Sequence, residues 1–330
     1  MRLVIVDDNS KDQTNGVVTT LKALKQEFSH RKLDKVLHIT PDLFFHVPAY
    51  VYPGARFPVN LWRNSQLIDD FAPTHLHICT EGPLGLCARQ MFKSRNWKYT
   101  TSFHTRWDLY LQKSFGINPN ITIDYLRWFH KHSAAVLVNT QTQLQEMEQQ
   151  RFANLVCWSR GVDKSVFSFD DHKKNLKPIL LSVGRLSKEK NLDDFCLLDH
   201  RQYTLRCVGD GPDRKRLENL YPWVSFLGEK KGNDLAKEYQ QADCFVFPSK
   251  SDTFGLVMIE SMSCGTPVAA YPVQGPLDAV DQGTTGILNH DLKSAVQKAL
   301  MIPRSTVSHG SERWTWGNTA DIFLRTLVPK

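Results

Sequence analysis

Short apolar runs alternate with longer stretches of helical periodicity along the whole chain. In the first half the runs at 3–6, 36–39, 76–79, 99–103, 134–138 and 155–158 are brief and rich in Val, Ile, Leu and aromatic residues, which predicts strands. In the second half the same reasoning predicts strands at 179–183, 204–208, 224–227, 245–247 and 268–270. Helical stretches lie between most of them. Strand and helix in alternation predict parallel sheets in an α/β protein. Between the halves, residues 167–178 are polar and end in Pro178, as a linker does. At 330 residues, two domains are expected. The boundaries are set at 1–170 and 171–314. Two such sheets facing a cleft would bind ligands at their carboxyl edges.

Composition narrows the class. An apolar fraction of 41% supports sizeable cores. No apolar run is long enough to span a bilayer. The opening Met1-Arg-Leu-Val-Ile-Val-Asp-Asp8 predicts a first strand and not a signal peptide. The seven cysteines form no C-x-x-C pair and mostly sit in apolar runs, as reduced core residues of a cytoplasmic protein do. The net charge is +7, with 20 Lys and Arg against 15 Asp and Glu in residues 1–170 and 21 against 19 in the rest. That excess in the first half suits peripheral contact with an anionic membrane face or a phosphorylated acceptor, and equally an ordinary solvated surface. No dense basic stripe points to nucleic acid.

The segment Ser251-Asp-Thr-Phe-Gly-Leu-Val-Met-Ile-Glu-Ser-Met-Ser-Cys-Gly-Thr-Pro267 carries the most chemistry. Asp252 and Glu260 bracket a Phe254-Gly255 turn that opens a short helix at Leu256, and Gly265 and Pro267 end it. A helix N-terminus there offers amides to an anion. Glu260 stands among Met258, Ile259 and Met262, where a carboxylate is costly unless something binds it. Arg185 and Lys190 follow a predicted strand on one short loop and could neutralise a diphosphate. Gly209-Asp210-Gly211 follows another, but G-x-G-x-x-G would need glycine where Arg214 stands, which argues against a dehydrogenase. Asp7 and Asp8 imitate a response-regulator receiver, yet residues 45–53 lack the phosphoacceptor acid, so that reading is rejected. No D-x-D pair and no Cys/His cluster suggests a metal site.

Taken in order, these segments resemble the retaining GT-B glycosyltransferases of the GT4 type. Asp252 and Glu260 match the acid-x7-Glu signature, with Asp where Glu is usual. Leu181-Ser-Val-Gly-Arg-Leu-Ser-Lys-Glu-Lys-Asn191 resembles the phosphate-binding strand and loop, and Cys207-Val-Gly-Asp-Gly-Pro212 the nucleotide-side turn. Asn15-Gly16 resembles the N-terminal glycine loop, Ser102-Phe-His-Thr-Arg106 the loop of the active-site His, and Trp158-Ser-Arg-Gly-Val-Asp163 the start of the linker. The resemblance covers nearly the whole chain.

The resemblance implies roles. Arg185, Lys190, His104, Asp252 and Glu260 would be catalytic. Gly16, Gly209, Asp210, Gly211, Phe254, Gly255, Leu256 and Glu260 would bind the donor. Glu81, Arg106 and Arg160 are candidates for the acceptor side or a phosphate. The nucleotide base would lie near Phe226-Leu-Gly-Glu-Lys230, and the helix over 315–330 would cross back onto the first domain. The co-substrate would be a nucleotide sugar, GDP-mannose favoured over UDP-glucose, with no cofactor and no metal. The acceptor would be lipid-linked or a glycan. The segments Thr80-Glu-Gly-Pro-Leu-Gly85 and Ser102-Phe-His-Thr105 resemble most those of bacterial GDP-mannose-dependent α-mannosyltransferases. A UDP-glucose-dependent transferase and a catalytically weak sugar-nucleotide-binding subunit are the alternatives.

Overall fold

In the computed structural model the chain divides into two compact units, Met1–Ser159 with Trp316–Lys330, and Arg160–Thr315. The structure describes every residue except 12, 14, 15, 34, 49–55, 172–174 and 251–253, and the side chains of 48, 109, 113 and 114 are likewise not described.

Unit 1 is built on a six-stranded sheet, all of whose neighbours are parallel. In chain order its strands are Leu3–Val6 (β1), Val36–Ile39 (β2), then, after a small antiparallel pair His46–Pro48 (β3) and Arg56–Pro58 (β4), His75–Ile78 (β5), Thr100–Phe103 (β6), Val136–Val138 (β7) and Leu155–Cys157 (β8). The spatial order is β2-β1-β5-β6-β7-β8. All four β1 residues are buried, as expected of a central parallel strand covered on both faces. The helix Gly16–His30 buries Val17, Leu21, Leu24 and Phe28, a helical stripe, against this sheet. The closing helix Trp316–Thr326 joins the same layer. Phe323 packs at 5.4 Å on Trp158 and at 5.9 Å on Phe28.

Unit 2 repeats the plan with Ile179–Val183 (β9), Thr204–Val208 (β10), Val224–Phe226 (β11), Cys244–Phe247 (β12), Val268–Ala270 (β13) and Gly286–Leu288 (β14). These are again all parallel, in the order β11-β10-β9-β12-β13-β14. Residues 160–170, expected with the first half, pack with the second. The Val162 amide donates to the Trp314 carbonyl (3.2 Å), and the Phe167 ring meets Tyr239 at 6.0 Å. Apolar side chains at 162 and 167 find their core in unit 2. Buried Arg304 fixes the C-terminal ends of two helices, donating to the carbonyls of Gln240 and Ala242 and of Cys264. One of these is the helix Leu256–Ser263, which carries Glu260.

Each sheet reverses its direction of growth beside its first strand, between β1 and β5 in unit 1 and between β9 and β12 in unit 2. Ligands of open α/β sheets collect beyond the strand ends at such points. In unit 1 the protein fills this position itself. Asp8 accepts the amides of Gly82 (3.0 Å) and Leu84 (2.7 Å) at the start of helix Pro83–Ser94. Burial nevertheless holds its carboxyl up at about 7.

Candidate functional site

At the unit 2 switch point two loops interlock. The Gly184 amide donates to Val208 O, Leu186 N to Asp210 O and Asp213 N to Leu186 O, at 2.9–3.0 Å. A Cβ on Gly209 would stand 1.9 Å from the Gly184 carbonyl oxygen, and one on Gly211 2.4 Å from that of Leu186. Glycine is therefore required at both positions, and Gly209 also takes φ +140. The expected donor-side glycines thus serve first to let the loops touch. Gly209 N also donates to Gly228 O (2.8 Å), which brings the 226–230 segment to the same turn. The loop so braced carries both expected cations. Arg185 is exposed, and half-buried Lys190 has its Nζ 5.9 Å from the Phe247 ring. Asp210 is exposed, accepting from Gly211 N (2.7 Å) and pairing with Arg214 (3.3 Å).

The other side of the switch point follows β12. Asp252 lies outside the described residues. Phe254 is buried edge-on against Trp314 at 5.5 Å. Gly255 has φ +78, and a Cβ there would meet Met258 Cε at 2.8 Å. Leu256 then opens the helix with its amides facing outward from the N-terminus. One turn on, Glu260 accepts a hydrogen bond from the Tyr239 hydroxyl (3.1 Å). Burial raises its carboxyl to about 7, and the tyrosine bond only partly opposes that. Tyr239, on a helix before β12, was not legible as a site residue. Its position reads as an ordinary core tyrosine.

In unit 1, Gly16 is the first residue of its helix, and its carbonyl accepts from Thr20 Oγ1 (2.7 Å). His104 sits just past β6 with Nε2 2.9 Å from Ser102 Oγ and its ring 5.9 Å from that of Trp158. Glu81 is buried. Its carboxylate accepts from Trp107 Nε1 (3.2 Å) and meets His130 Nε2 (3.3 Å). Arg106 grips Asp108 with two hydrogen bonds and Glu146 with a third. An acceptor group would have to compete with these partners for Glu81 or Arg106. Arg160, at the start of unit 2, is buried, and desolvation lowers it to about 10.

Among the described residues no group of three or more His, Cys, Asp and Glu is placed to hold a metal ion. Chemically, the unit 2 site joins two cations on one rigid loop, a helix N-terminus and a carboxylate raised by burial. That set can hold a diphosphate and accept hydroxyl hydrogen bonds beside it.

Comparisons with known proteins agree in both halves. Residues 14–166 match the family described as Glycosyltransferase Family 4, and residues 163–300 the one described as Glycosyl transferases group 1. A GDP-mannose-dependent alpha-mannosyltransferase of Mycolicibacterium smegmatis is 26% identical, with 87% of this chain and 84% of the relative covered. A sulfoquinovosyl transferase of Arabidopsis thaliana is 27% identical, over 86% of this chain and 58% of the relative. Among solved structures, a sucrose-phosphate synthase from Thermosynechococcus elongatus superposes with a TM-score of 0.77 at 18% identity, covering 98% of this chain and 97% of that one. HepE of Anabaena in complex with UDP gives 0.70 at 14% identity, with 99% of each chain covered. These two likenesses show the fold, two Rossmann-like parallel-sheet domains, and the family matches on each half show the lineage. The chain belongs to the GT4-type GT-B glycosyltransferases, enzymes that transfer a hexosyl group.

Proposed function

We propose that unit 2 holds a nucleotide sugar at its switch point, and that the hexosyl group passes to a lipid-linked acceptor hydroxyl with its α-configuration kept and no metal ion. The observation that carries this reading is the pair Arg185 and Lys190 on one loop at the carboxyl edge of β9. The Gly209–Gly211 contact holds that loop in place. GDP-mannose is the favoured donor because the M. smegmatis relative is named for it. UDP-glucose is second. A thermal-shift panel of GDP-mannose, UDP-glucose, ADP-glucose and the free nucleotides decides. GDP-mannose is expected to raise the melting temperature most, and a shift from none of the nucleotides would remove the proposed site.

In the proposed step, the bond from the sugar's anomeric carbon to the diphosphate oxygen breaks while the acceptor oxygen bonds to the same face. The acceptor's proton passes to a donor phosphate oxygen. Arg185 and Lys190 meet the charge that grows on the leaving diphosphate. Glu260 accepts from donor hydroxyls, and no pair of carboxylates acts as nucleophile and acid, as it would in a retaining glycosidase. Turnover by metal-stripped protein is therefore expected to survive EDTA. Activity lost to EDTA and restored only by Mg²⁺ or Mn²⁺ would overturn the leaving-group chemistry.

A lipid-linked acceptor is favoured over a soluble glycan by an open apolar groove of about 670 Å³ in unit 1, lined by Phe57, Leu61, Leu86, Met91 and Tyr125 among others. Trp62 (74% exposed) and Ile121 (65%) lie in the adjoining elements. Among the described residues no helix is long and apolar enough to cross a membrane. Peripheral attachment is expected to show as co-sedimentation with anionic phosphatidylglycerol vesicles. It should weaken in about 0.5 M salt, where charge attraction is screened, and in Trp62→Ala. Indifference to the vesicles would return the acceptor to the soluble glycans.

A further inference from the structure

Three strand-end segments of unit 2 converge on one carboxylate oxygen. Asp194 Oδ2 accepts from Asn191 Nδ2 (2.6 Å), from the Tyr271 hydroxyl (2.6 Å) and from Lys250 Nζ (3.1 Å). The Asn191 amide also reaches the Pro248 carbonyl (3.1 Å), and Ser249 Oγ reaches the Glu189 carbonyl (3.4 Å). Asn191 directly follows Lys190. Pro248, Ser249 and Lys250 continue β12 toward residues 251–255, and Tyr271 follows β13. Lys250 also lies 4.8 Å from the centre of the Tyr271 ring.

The network is too exposed to matter much for folding. The Asp194 side chain is 31% accessible and that of Lys250 59%. Ion pairs of that exposure contribute little to stability, and water can replace the partners. What the network does fix is geometry. Asn191 holds a left-handed backbone (φ 52, ψ 41), which sets the direction in which the chain leaves Lys190. Its amide then ties that turn to the end of β12. Asp194 stays below its ordinary value, because its hydrogen bonds from Tyr271, Asn191 and Lys250 outweigh the upward push of burial. It therefore remains a charged anchor.

We infer that Asp194 and Asn191 are positioning residues, which hold the Lys190 loop against residues 248–250 at the end of β12 so that donor diphosphate meets a preformed site. The inference rests on the reading that unit 2 binds the donor diphosphate. Its physical ground is that displacing a charge by about 1 Å can cost roughly 10²-fold in rate, while the contacts that hold it cost little stability to remove.

The test uses Asn191→Gly, which keeps the left-handed turn but deletes the amide, and Asp194→Ala. Turnover with GDP-mannose and UDP-glucose, affinity for free GDP and UDP, melting temperature and amide exchange over 184–191 and 249–250 are measured on the full chain. Both variants are expected to lose roughly 10-fold or more in kcat, to bind the free diphosphates less tightly and to exchange faster in both segments. Their melting temperatures should stay near the parent's. Unchanged turnover and exchange would overturn the positioning role, as would activity lost only in step with a large fall in melting temperature. Arg185→Ala, run alongside, separates the two levels. If it turns over like the parent, the donor-site reading fails. If it is impaired while Asn191→Gly and Asp194→Ala are not, only the positioning role fails.

Discussion

Replacing Arg185 or Lys190 by alanine is expected to lower turnover roughly 10²- to 10³-fold, the range seen when one charge-stabilising donor is removed from an active site. The melting temperature should hardly move. Arg185 is exposed and Lys190 half-buried, so neither supplies core packing. The loop that carries them is held by backbone contacts at Gly184 and Leu186, which alanine at 185 or 190 leaves in place. The loss should appear mainly in kcat, because the charge they oppose develops as the diphosphate departs and is smaller in the bound donor. Steady-state kinetics, donor titration and a melting curve on each variant check this. Two folded variants that turn over like the parent would place the donor site elsewhere.

The strands of both sheets were legible because parallel strands covered on both faces are short, continuous apolar runs. Every expected run contains a strand, with ends moved by a residue or two. Three of the strands among the described residues were not legible. Gly286–Leu288 is a three-residue edge strand that opens on glycine, and His46–Pro48 and Arg56–Pro58 each end in proline, which ordinarily speaks against a strand. Within the candidate site, Arg185, Lys190 and the glycines at 209 and 211 could be found because each lies on the loop that follows a strand. Tyr239 at Glu260 and the Asn191–Asp194–Lys250–Tyr271 group could not. These pairings span up to 77 residues, and each member alone reads as a surface or core residue. The roles of Glu81 and Arg106 were obscured in the same way. Their partners His130 and Glu146 lie 49 and 40 residues away.

The two switch points explain why one sheet plan repeated in both halves need not bind the same ligand twice. In unit 1 Asp8 occupies the amides that open helix Pro83–Ser94, and a Cβ on Gly82 would stand 2.6 Å from its Cγ. A phosphate would have to displace a carboxylate already packed into that slot. In unit 2 the loop after β9 carries three cations, Arg185, Lys188 and Lys190, against one carboxylate, Glu189, which already accepts from Ser187 Oγ (2.6 Å). The charge at the strand ends thus favours a diphosphate in unit 2 and opposes one in unit 1.

Donor binding is expected to weaken as pH falls through about 7, and Glu260→Gln is expected to abolish that dependence while binding weakly throughout. The cause is the Glu260 carboxyl, raised by burial to about 7 from an ordinary 4.5. In the proposed site donor hydroxyls would donate to its charged form, so each proton taken up below pH 7 would remove an acceptor. If only the ionised form binds, affinity falls about tenfold per pH unit in that range. Stability of the free protein runs the other way. A carboxyl raised on folding contributes stability that is fully present below its unfolded value near 4.5 and is lost as pH rises through about 7. Asp8, also near 7, adds a second loss of the same sign from unit 1. Melting curves therefore report both acids together, whereas donor titration reports Glu260. The glutamine variant keeps the side chain's size but not its charge, so nucleotide-sugar affinity and turnover should both drop. Titrations of parent and variant from pH 5.5 to pH 8.5, a span of about 1.5 units on each side of that value, distinguish the outcomes. A parent whose affinity is flat across this range would show that Glu260 carries no proton that donor binding must displace.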